Sequence, residues 1–210
     1  MVFNEELDLE IPLGWEVKTV KEFTHEMKSG GTPNRGVSEY WDSNDIPWLK
    51  TGELKNSVII NSEEYISELG LKESSTKVLP KNTVLIAMYG QGETKGQVGY
   101  LKIQSTTNQA CCAMICKNEI DATFLYYHLR LNRKEIVSVA IGGAQPNLSK
   151  EIIQNLNLLT PEKDVLEKHP FIYIINYRES LTRENYNLKE LKNLLLSKMS
   201  KVAIEKEMVC

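Results

Sequence analysis

Toward its C-terminal end the chain carries an apolar side chain at every seventh position: Ile174, Leu181, Leu188, Leu195 and Val202. This spacing predicts a helix with one narrow stripe, because two helices stay in contact only along a seam that recurs about every 3.5 residues. The intervening seam positions are Tyr177, Glu184, Leu191, Lys198 and Glu205, so half of the seam is strongly apolar. A lone helix has nothing of its own to bury such a stripe against, and the pattern predicts an arm that meets a partner. Pro170 breaks or kinks any helix begun at Thr160, which puts the start of the arm near Phe171.

Upstream the apolar runs are short. Ile11-Pro-Leu-Gly-Trp15 opens with turn residues, and Glu16 to Val20 then alternates like a strand. In Ile46-Pro-Trp-Leu49 the proline points to a sheet edge or a strand start. Val78 to Met88 reads as a turn and a buried strand, and Thr107 to Ile115 as a strand of small side chains. Asp121 is expected to cap a helix from about Ala122 to Val139, with Leu125, Leu129 and Ile136 on one face and Gly142-Gly143 as its stop. Ser149 caps a short helix over Lys150 to Gln154, and Leu156, Leu158 and Leu159 form a strand-like exit to Pro161. The pattern predicts an α+β chain: a strand-rich domain over residues 1–157, then residues 158–210 with the long helix.

Length agrees, since 210 residues hold one domain of about 150 residues and an extended element. No run approaches the ~18 apolar residues of a membrane span, and no membrane partner is expected. The opening, Met1 to Glu10, is acidic and lacks a signal-peptide core, so a cytoplasmic location is expected. Cys111, Cys112, Cys116 and Cys210 form no CxxC pair, and His25, His128 and His169 are scattered, which predicts no metal site. The net charge of -3 excludes coating nucleic acid by bulk attraction; any such role needs a local surface or basic partners.

The glycine-rich centre, Tyr89-Gly-Gln-Gly-Glu-Thr-Lys-Gly-Gln-Val-Gly99, fails as a phosphate loop because Lys95 precedes Gly96 and Gln97-Val98 follows. It fails as a dinucleotide fingerprint because Lys95 occupies the place of the third glycine. What remains is either a polar hairpin or a loop whose Gln91, Glu93, Thr94, Lys95 and Gln97 bond base edges and phosphates. Ser29-Gly-Gly-Thr-Pro33 is a second tight loop, with glycines free to take positive φ. Asn108 and Gln109 read as a buried amide pair tying loops together by hydrogen bonds, and Cys111 and Cys112 as compact strand residues. Gly142 to Ser149 is either a phosphate site ahead of a helix or a capping loop. No nucleophile-and-base set emerges, so no catalytic residue is assigned.

The succession Pro12-Leu-Gly-Trp15, Ser29-Gly-Gly-Thr-Pro33, Tyr40-Trp41, Asp45-Ile-Pro-Trp-Leu-Lys-Thr-Gly52, Leu85-Ile-Ala-Met-Tyr-Gly90, Gly96-Gln-Val-Gly99, Thr106-Thr-Asn-Gln-Ala-Cys-Cys112, Gln145-Pro-Asn-Leu-Ser149 and Leu191-Lys-Asn-Leu-Leu-Leu-Ser-Lys-Met199 closely resembles the DNA specificity subunit of type I restriction-modification systems. The resemblance implies a target recognition domain followed by a spacer helix. Members usually carry two such units; each reads half of a bipartite double-stranded site, and the spacer helices pair antiparallel. The subunit is not itself an enzyme in that family and carries no cofactor. It holds methylation subunits, which use S-adenosylmethionine, and through them restriction subunits. Two features depart from the pattern. Only one unit is present, as in a half-length form, and Thr160 to Pro170 lacks the usual glutamine-rich helical start.

With one unit, the mate of the arm is expected in a second copy. Parallel in-register pairing would oppose Glu184 to Glu184 and Lys198 to Lys198, whereas antiparallel pairing avoids both. The alternative is an arm folded back on its own domain. A helix over 171–205 spans about 50 Å, enough to hold two domains over major grooves about 34 Å apart. The expected dimer is therefore a homodimer reading inverted half-sites, its interface formed by Ile174, Tyr177, Leu181, Leu188, Leu191, Leu195 and Val202. The DNA-contact candidates are Ser29, Thr32, Asn34 and Arg35 in one loop and Tyr89, Gln91, Thr94, Lys95 and Gln97 in the other. Two rivals differ in class: an adaptor that binds only protein, and a methyltransferase or nuclease fragment. The missing glycine fingerprint and carboxylate-lysine cluster speak against the fragment.

Overall fold

A computed structural model of the chain describes residues 1–5, 7–90, 92–141 and 147–208. Gln91, the glycine stop at 142–143 and Gln145 lie outside the described residues, as does the side chain of Val202.

Strands dominate the first part: β1 (Val2–Asn4), β2 (Leu9–Ile11) and β3 (Glu16–Thr19), then a single helical turn α1 (Val20–Phe23) and β4 (Glu26–Ser29). There follow β5 (Ile46–Leu49), β6 (Ser57–Ile59), β7 (Glu64–Ile66), α2 (Glu68–Lys72), β8 (Val84–Ala87), β9 (Val98–Leu101), β10 (Thr106–Thr107) and β11 (Cys111–Ile115). Helices then take over with α3 (Glu119–Leu131), α4 (Arg133–Ile141) and α5 (Lys150–Gln154). The strand β12 (Asn157–Thr160), α6 (Lys163–Lys168) and the long α7 (Phe171–Met208) complete the chain. This is the expected α+β arrangement of a strand-rich body followed by a long helix.

The central sheet has the order β4-β11-β8-β9-β6, antiparallel except where β6 runs parallel to β9. A smaller sheet has the order β10-β5-β7, and β12 pairs antiparallel with β3. Alternate residues of a strand face opposite sides, and here both sides are covered. Val84, Ile86, Val98, Tyr100, Cys112 and Met114 face α3 through Ala122, Leu125, Tyr126 and Leu129. Leu85, Ala87, Leu101, Cys111 and Ala113 face Leu49, Leu54 and Leu79. Burial on both faces is why β8 and β11 read as unbroken apolar runs rather than alternating ones.

Several boundaries differ from those expected, each for a local reason. Val20 belongs to α1 rather than to the preceding strand, because Thr19 and Glu22 form a reciprocal capping box there. The stretch from Thr107 to Ile115 is not one strand: β10 belongs to the small sheet and β11 to the central one, with a turn at 108–110 between them. Pro47 marks a strand start but not an edge, since β5 lies between β10 and β7. β10 pairs only from Trp48 onward, so the ladder on that side begins just past the proline. The cap of α3 is Asn118, not Asp121; the Asn118 side chain accepts a hydrogen bond from the Asp121 N–H at 2.8 Å. The helix expected to reach Val139 breaks at Asn132, whose side-chain amide donates to the His128 carbonyl at 2.9 Å. The remaining boundaries stand: Ser149 caps α5, β12 leads to Pro161, and α7 starts at Phe171 after Pro170.

The first turns of α7 dock on the body. Ile175 is fully buried in the main core. Arg178 donates to the Tyr126 hydroxyl at 2.9 Å and to the Asn56 carbonyl at 2.8 Å. Lys102 joins Glu119 of α3 at 2.9 Å to Glu179 of α7 at 3.4 Å, and also donates to Asn176. The boundary expected after residue 157 falls inside β12, whose pairing with β3 carries the chain back across the body. Beyond Thr182 the helix residues through 200 are exposed, so the arm projects rather than folding back along its length.

Candidate nucleic-acid interface

Topology gathers the polar loops. β4 and β8 both run antiparallel to β11, and β9 runs antiparallel to β8. Ser29, Ala87, Val98 and Cys111 therefore end or begin strands at one edge of the central sheet. Three connections leave that edge: the loop after Ser29, the loop after Ala87 and the turn at 108–110. Backbone hydrogen bonds fasten them together. Gly31 N–H donates to the Thr107 carbonyl at 2.8 Å, Asn108 N–H to Leu49 at 3.0 Å and Met88 N–H to Ala110 at 2.8 Å. The two loops chosen from sequence thus lie on one rim, with Asn108 and Gln109 between them.

In the first loop the glycines are required for their small size, not for positive φ, which neither adopts. A Cβ on Gly30 would stand 2.1 Å from the Asn108 carbonyl oxygen, and one on Gly31 would stand 2.5 Å from the Ser75 hydroxyl. Ser29 pairs with Cys112 at the strand end and is exposed. Thr32 donates to the exposed Gln109 side chain, so Gln109 ties the two loops at the surface, whereas the Asn108 side-chain oxygen is buried with no hydrogen-bond partner among the described residues; the expected buried amide pair does not form. Asn34 is exposed; its carboxamide oxygen accepts from Gly36 N–H at 2.9 Å, and its carbonyl accepts from the Trp41 indole N–H at 3.2 Å.

Arg35 is held on three sides. Its guanidinium lies 3.5 Å from the ring centroid of Trp41 and 4.6 Å from that of Trp48. The two rings meet edge to face, and Trp48 donates its indole N–H to the Gly31 carbonyl at 2.9 Å. Glu64, at the start of β7, pairs with Arg35 at 2.5 Å and with Lys50 at 2.9 Å, and Glu63 reaches Lys50 at 3.2 Å. Burial pushes the Glu64 carboxyl up, but hydrogen bonds from Lys50 and Arg35 outweigh it, so the carboxyl sits below its usual range. Lys50, Trp41 and Glu64 are not among the DNA-contact candidates chosen from sequence. Trp41 and Lys50 stand there only within the Tyr40-Trp41 and Asp45 to Gly52 motifs, and Glu63-Glu64 reads from sequence as a solvated carboxylate pair; their meeting depends on strand pairing between distant segments.

The second loop is braced from the helical side. Arg133, first in α4, donates to the carbonyl oxygens of Glu93 and Lys95 and pairs with the Glu93 carboxylate at 3.3 Å. Gly96 has φ +72, and a Cβ there would meet Val137 at 2.6 Å. Thr94, Lys95 and Gln97 are half-buried, whereas Tyr89 and Glu93 are exposed. The backbone of Gln97 is fixed to Ala87 at 2.9 Å.

Among its described residues the rim offers hydroxyls, amides and cations. Burial raises the Cys111 thiol far above its usual range and raises Cys112 to about 12, which keeps both protonated in the strand. Among the described residues no group of His, Cys, Asp and Glu is placed to hold a metal. None of the described helices is long and apolar enough to cross a membrane.

The seam residues lie apart from the rim. Ile174 and Leu181 are each 40% exposed, and Tyr177, Leu188, Leu191 and Leu195 are more exposed still. The docking residue, Ile175, is one position off the stripe. Docking therefore leaves the stripe without a partner among the described residues.

A family model described as Type I restriction modification DNA specificity domain matches residues 12–192. The MjaIX specificity subunit of Methanocaldococcus jannaschii is 29% identical over 206 residues, covering 94% of this chain and 46% of that protein. The EcoR124I/EcoR124II specificity subunit of Escherichia coli is 26% identical over 156 residues, covering 73% of this chain and 38% of that protein. The chain spans less than half the length of these curated relatives. Among solved structures, the type-I restriction-modification S subunit from M. genitalium superposes with a TM-score of 0.63 at 16% identity, over 88% of this chain and 45% of that one. The HsdS subunit from Thermoanaerobacter tengcongensis gives 0.58 at 16% identity, over 87% of this chain and 40% of that one. At that identity the structural likeness speaks for the fold.

Proposed function

Because the chain belongs to the type I restriction-modification DNA specificity family, we propose that it reads one half of a bipartite duplex site. The reading edge is the rim of loops after Ser29 and Ala87 and at 108–110. A second copy supplies the mate of α7, antiparallel, and the two rims then read inverted half-sites. The dimer holds methylation subunits and, through them, restriction subunits. It does no chemistry itself and works in the cytoplasm. The division of labour follows the boundaries drawn from sequence, with residues 1–157 as reader and 158–210 as spacer.

The observation that carries this reading is the unpartnered stripe of Ile174, Tyr177, Leu181, Leu188, Leu191 and Leu195 on a helix that leaves the body after Thr182. Burying such a stripe against its own copy removes a large apolar area from water, at about 25 cal/mol per Å². The helix has 38 residues, about 57 Å at about 1.5 Å per residue. That reach exceeds the ~34 Å between successive major-groove faces. The charge of -3 suits a part that chooses sequence while partners add phosphate contacts.

The test is to map adenine methylation in a host expressing this chain with its cognate methylation subunit. An inverted-repeat target is expected. An asymmetric target would show that the second reader is a different chain. Light scattering on the purified chain is expected to give the mass of two 24.0 kDa chains.

A further inference from the structure

The Arg35 cluster stands on the proposed reading rim, yet its cations are occupied. Trp48 pairs with Glu64 across β5 and β7, which sets Glu63, Glu64 and Lys50 at the end of β5. That end is tied to the turn at 108–110 by the bond from Asn108 N–H to the Leu49 carbonyl. Arg35 and Lys50 thus neighbour Thr32 and Gln109. Together with Glu53, whose carboxylate accepts from the Lys50 and Glu63 backbone N–H groups, the cluster sets three carboxylates against two cations.

We propose that Arg35 and Lys50 form a backbone-phosphate subsite for duplex DNA, held closed by Glu63 and Glu64, which keep the protein from binding DNA of the wrong sequence. The inference rests on the functional reading above. Three features support it. The Arg35 side chain is 50% exposed and that of Lys50 37%, so both are reachable by a phosphate. The Arg35 guanidinium carbon lies over the Trp41 ring at 3.5 Å and near Trp48 at 4.6 Å, a seat that holds the side chain in place where its fork can meet an anion. Glu64 occupies the position that a phosphate oxygen would take, bridging both cations.

A phosphate must displace this carboxylate, so the bare phosphate contact gains little. Only a complex that also satisfies the base-reading side chains of the rim gains enough to open the pair. Specificity follows from the difference, because a rival of like charge weakens every duplex while the correct bases compensate on one. Arg35 is therefore a phosphate contact rather than a base reader, and Glu64 a specificity-determining residue that touches no DNA.

The experiment compares the full-length chain with Glu64→Gln, using fluorescence anisotropy on a random-sequence duplex across a salt series. Glu64→Gln is expected to bind roughly tenfold more tightly at low salt. Its slope of log affinity against log salt is expected to be steeper by about one phosphate contact. Adding Arg35→Gln to that variant is expected to remove most of the gain. Glu63→Gln, at an exposed position, gives a smaller change of the same sign and serves if Glu64→Gln does not fold. Equal affinity and equal slope for wild type and both single variants would sink this inference alone. Duplex binding by no protein of the set at any salt, with the cognate methylation subunit added as well as without it, would sink the functional reading with it.

Discussion

Gly30 and Gly31 show how one atom decides the shape of the rim. The carbonyl oxygens of Thr107 and Asn108 crowd the place of a Gly30 Cβ at 2.3 and 2.1 Å, and both are backbone atoms that cannot swing away. Gly30→Ala is therefore expected to destabilise the protein by about 1–3 kcal/mol, read as a lower urea midpoint. Its far-UV spectrum should stay close to that of the wild type. His128 supplies a test by pH. Burial lowers its pKa from the ordinary 6.5, and the backbone hydrogen bond at Asn157 only partly offsets that. The unfolded chain then binds more protons than the folded one once pH drops below about 6.5, so this residue's stabilisation is complete above that pH and declines below it. His128→Gln is expected to flatten the fall of the unfolding midpoint between about pH 7 and about pH 5. A curve parallel to the wild type's would remove His128 as the cause. At this scale the sequence was partly legible. Ser149 and Pro170 announced their roles because caps and helix breaks are decided by residues next to each other in the chain. Arg35, Lys50 and Arg133 did not, because their partners lie 29, 14 and 40 positions away at Glu64, Glu64 and Glu93.

Among elements, α7 carries two jobs on different faces. Its period-seven stripe was visible in the sequence because an exposed seam repeats. Its docking face was not, because Ile175, Arg178 and Glu179 form a single short patch without a repeat and their partners lie on α3, at Lys102 just past β9 and in the Asn56 turn. Asn56 is the node: its backbone lies at φ 51, its carbonyl accepts from both Tyr126 and Arg178, and its side chain accepts from Val98 N–H at 3.0 Å. Ile175→Ala removes a fully buried side chain at this joint. A loss of about 2–4 kcal/mol in unfolding free energy is expected, measured by urea titration. A loss under about 0.5 kcal/mol, as at a surface position, would mean that the helix is not seated as described. The break between α3 and α4 was missed for a related reason. Asn132 is compatible with a helix by propensity, and its bond back to His128 ends the first helix before Arg133 starts the second.

For the whole molecule, the proposed reading rim and the proposed pairing stripe are separate surfaces. Leu188 and Leu191 lie beyond the docked turns, so Leu188→Glu with Leu191→Glu is expected to leave the unfolding midpoint of the body within experimental error. The same variant should convert the proposed dimer to a 24.0 kDa species by light scattering. It should also abolish methylation of an inverted-repeat target, while a mass unchanged from wild type would assign dimerisation to some other surface. The division into strand-rich body and arm was legible from the pattern of apolar positions, and the family resemblance from the ordered motifs. The convergence of the loops on one edge was not, because it depends on the pairing order β4-β11-β8-β9, which joins segments far apart in the chain.

The seat of α7 has a mechanical corollary. Ile175 is sealed in the core, Arg178 is bonded twice, and Lys102 clamps two carboxylates with a side chain only 11% exposed, so the joint behaves as a weld rather than a swivel. In the proposed dimer, two readers fixed to one stiff rod would face the double helix at a fixed azimuth. Such an assembly would gauge rotational phase as well as separation. Half-sites at the right distance but turned around the axis could be engaged only by winding or unwinding the intervening base pairs.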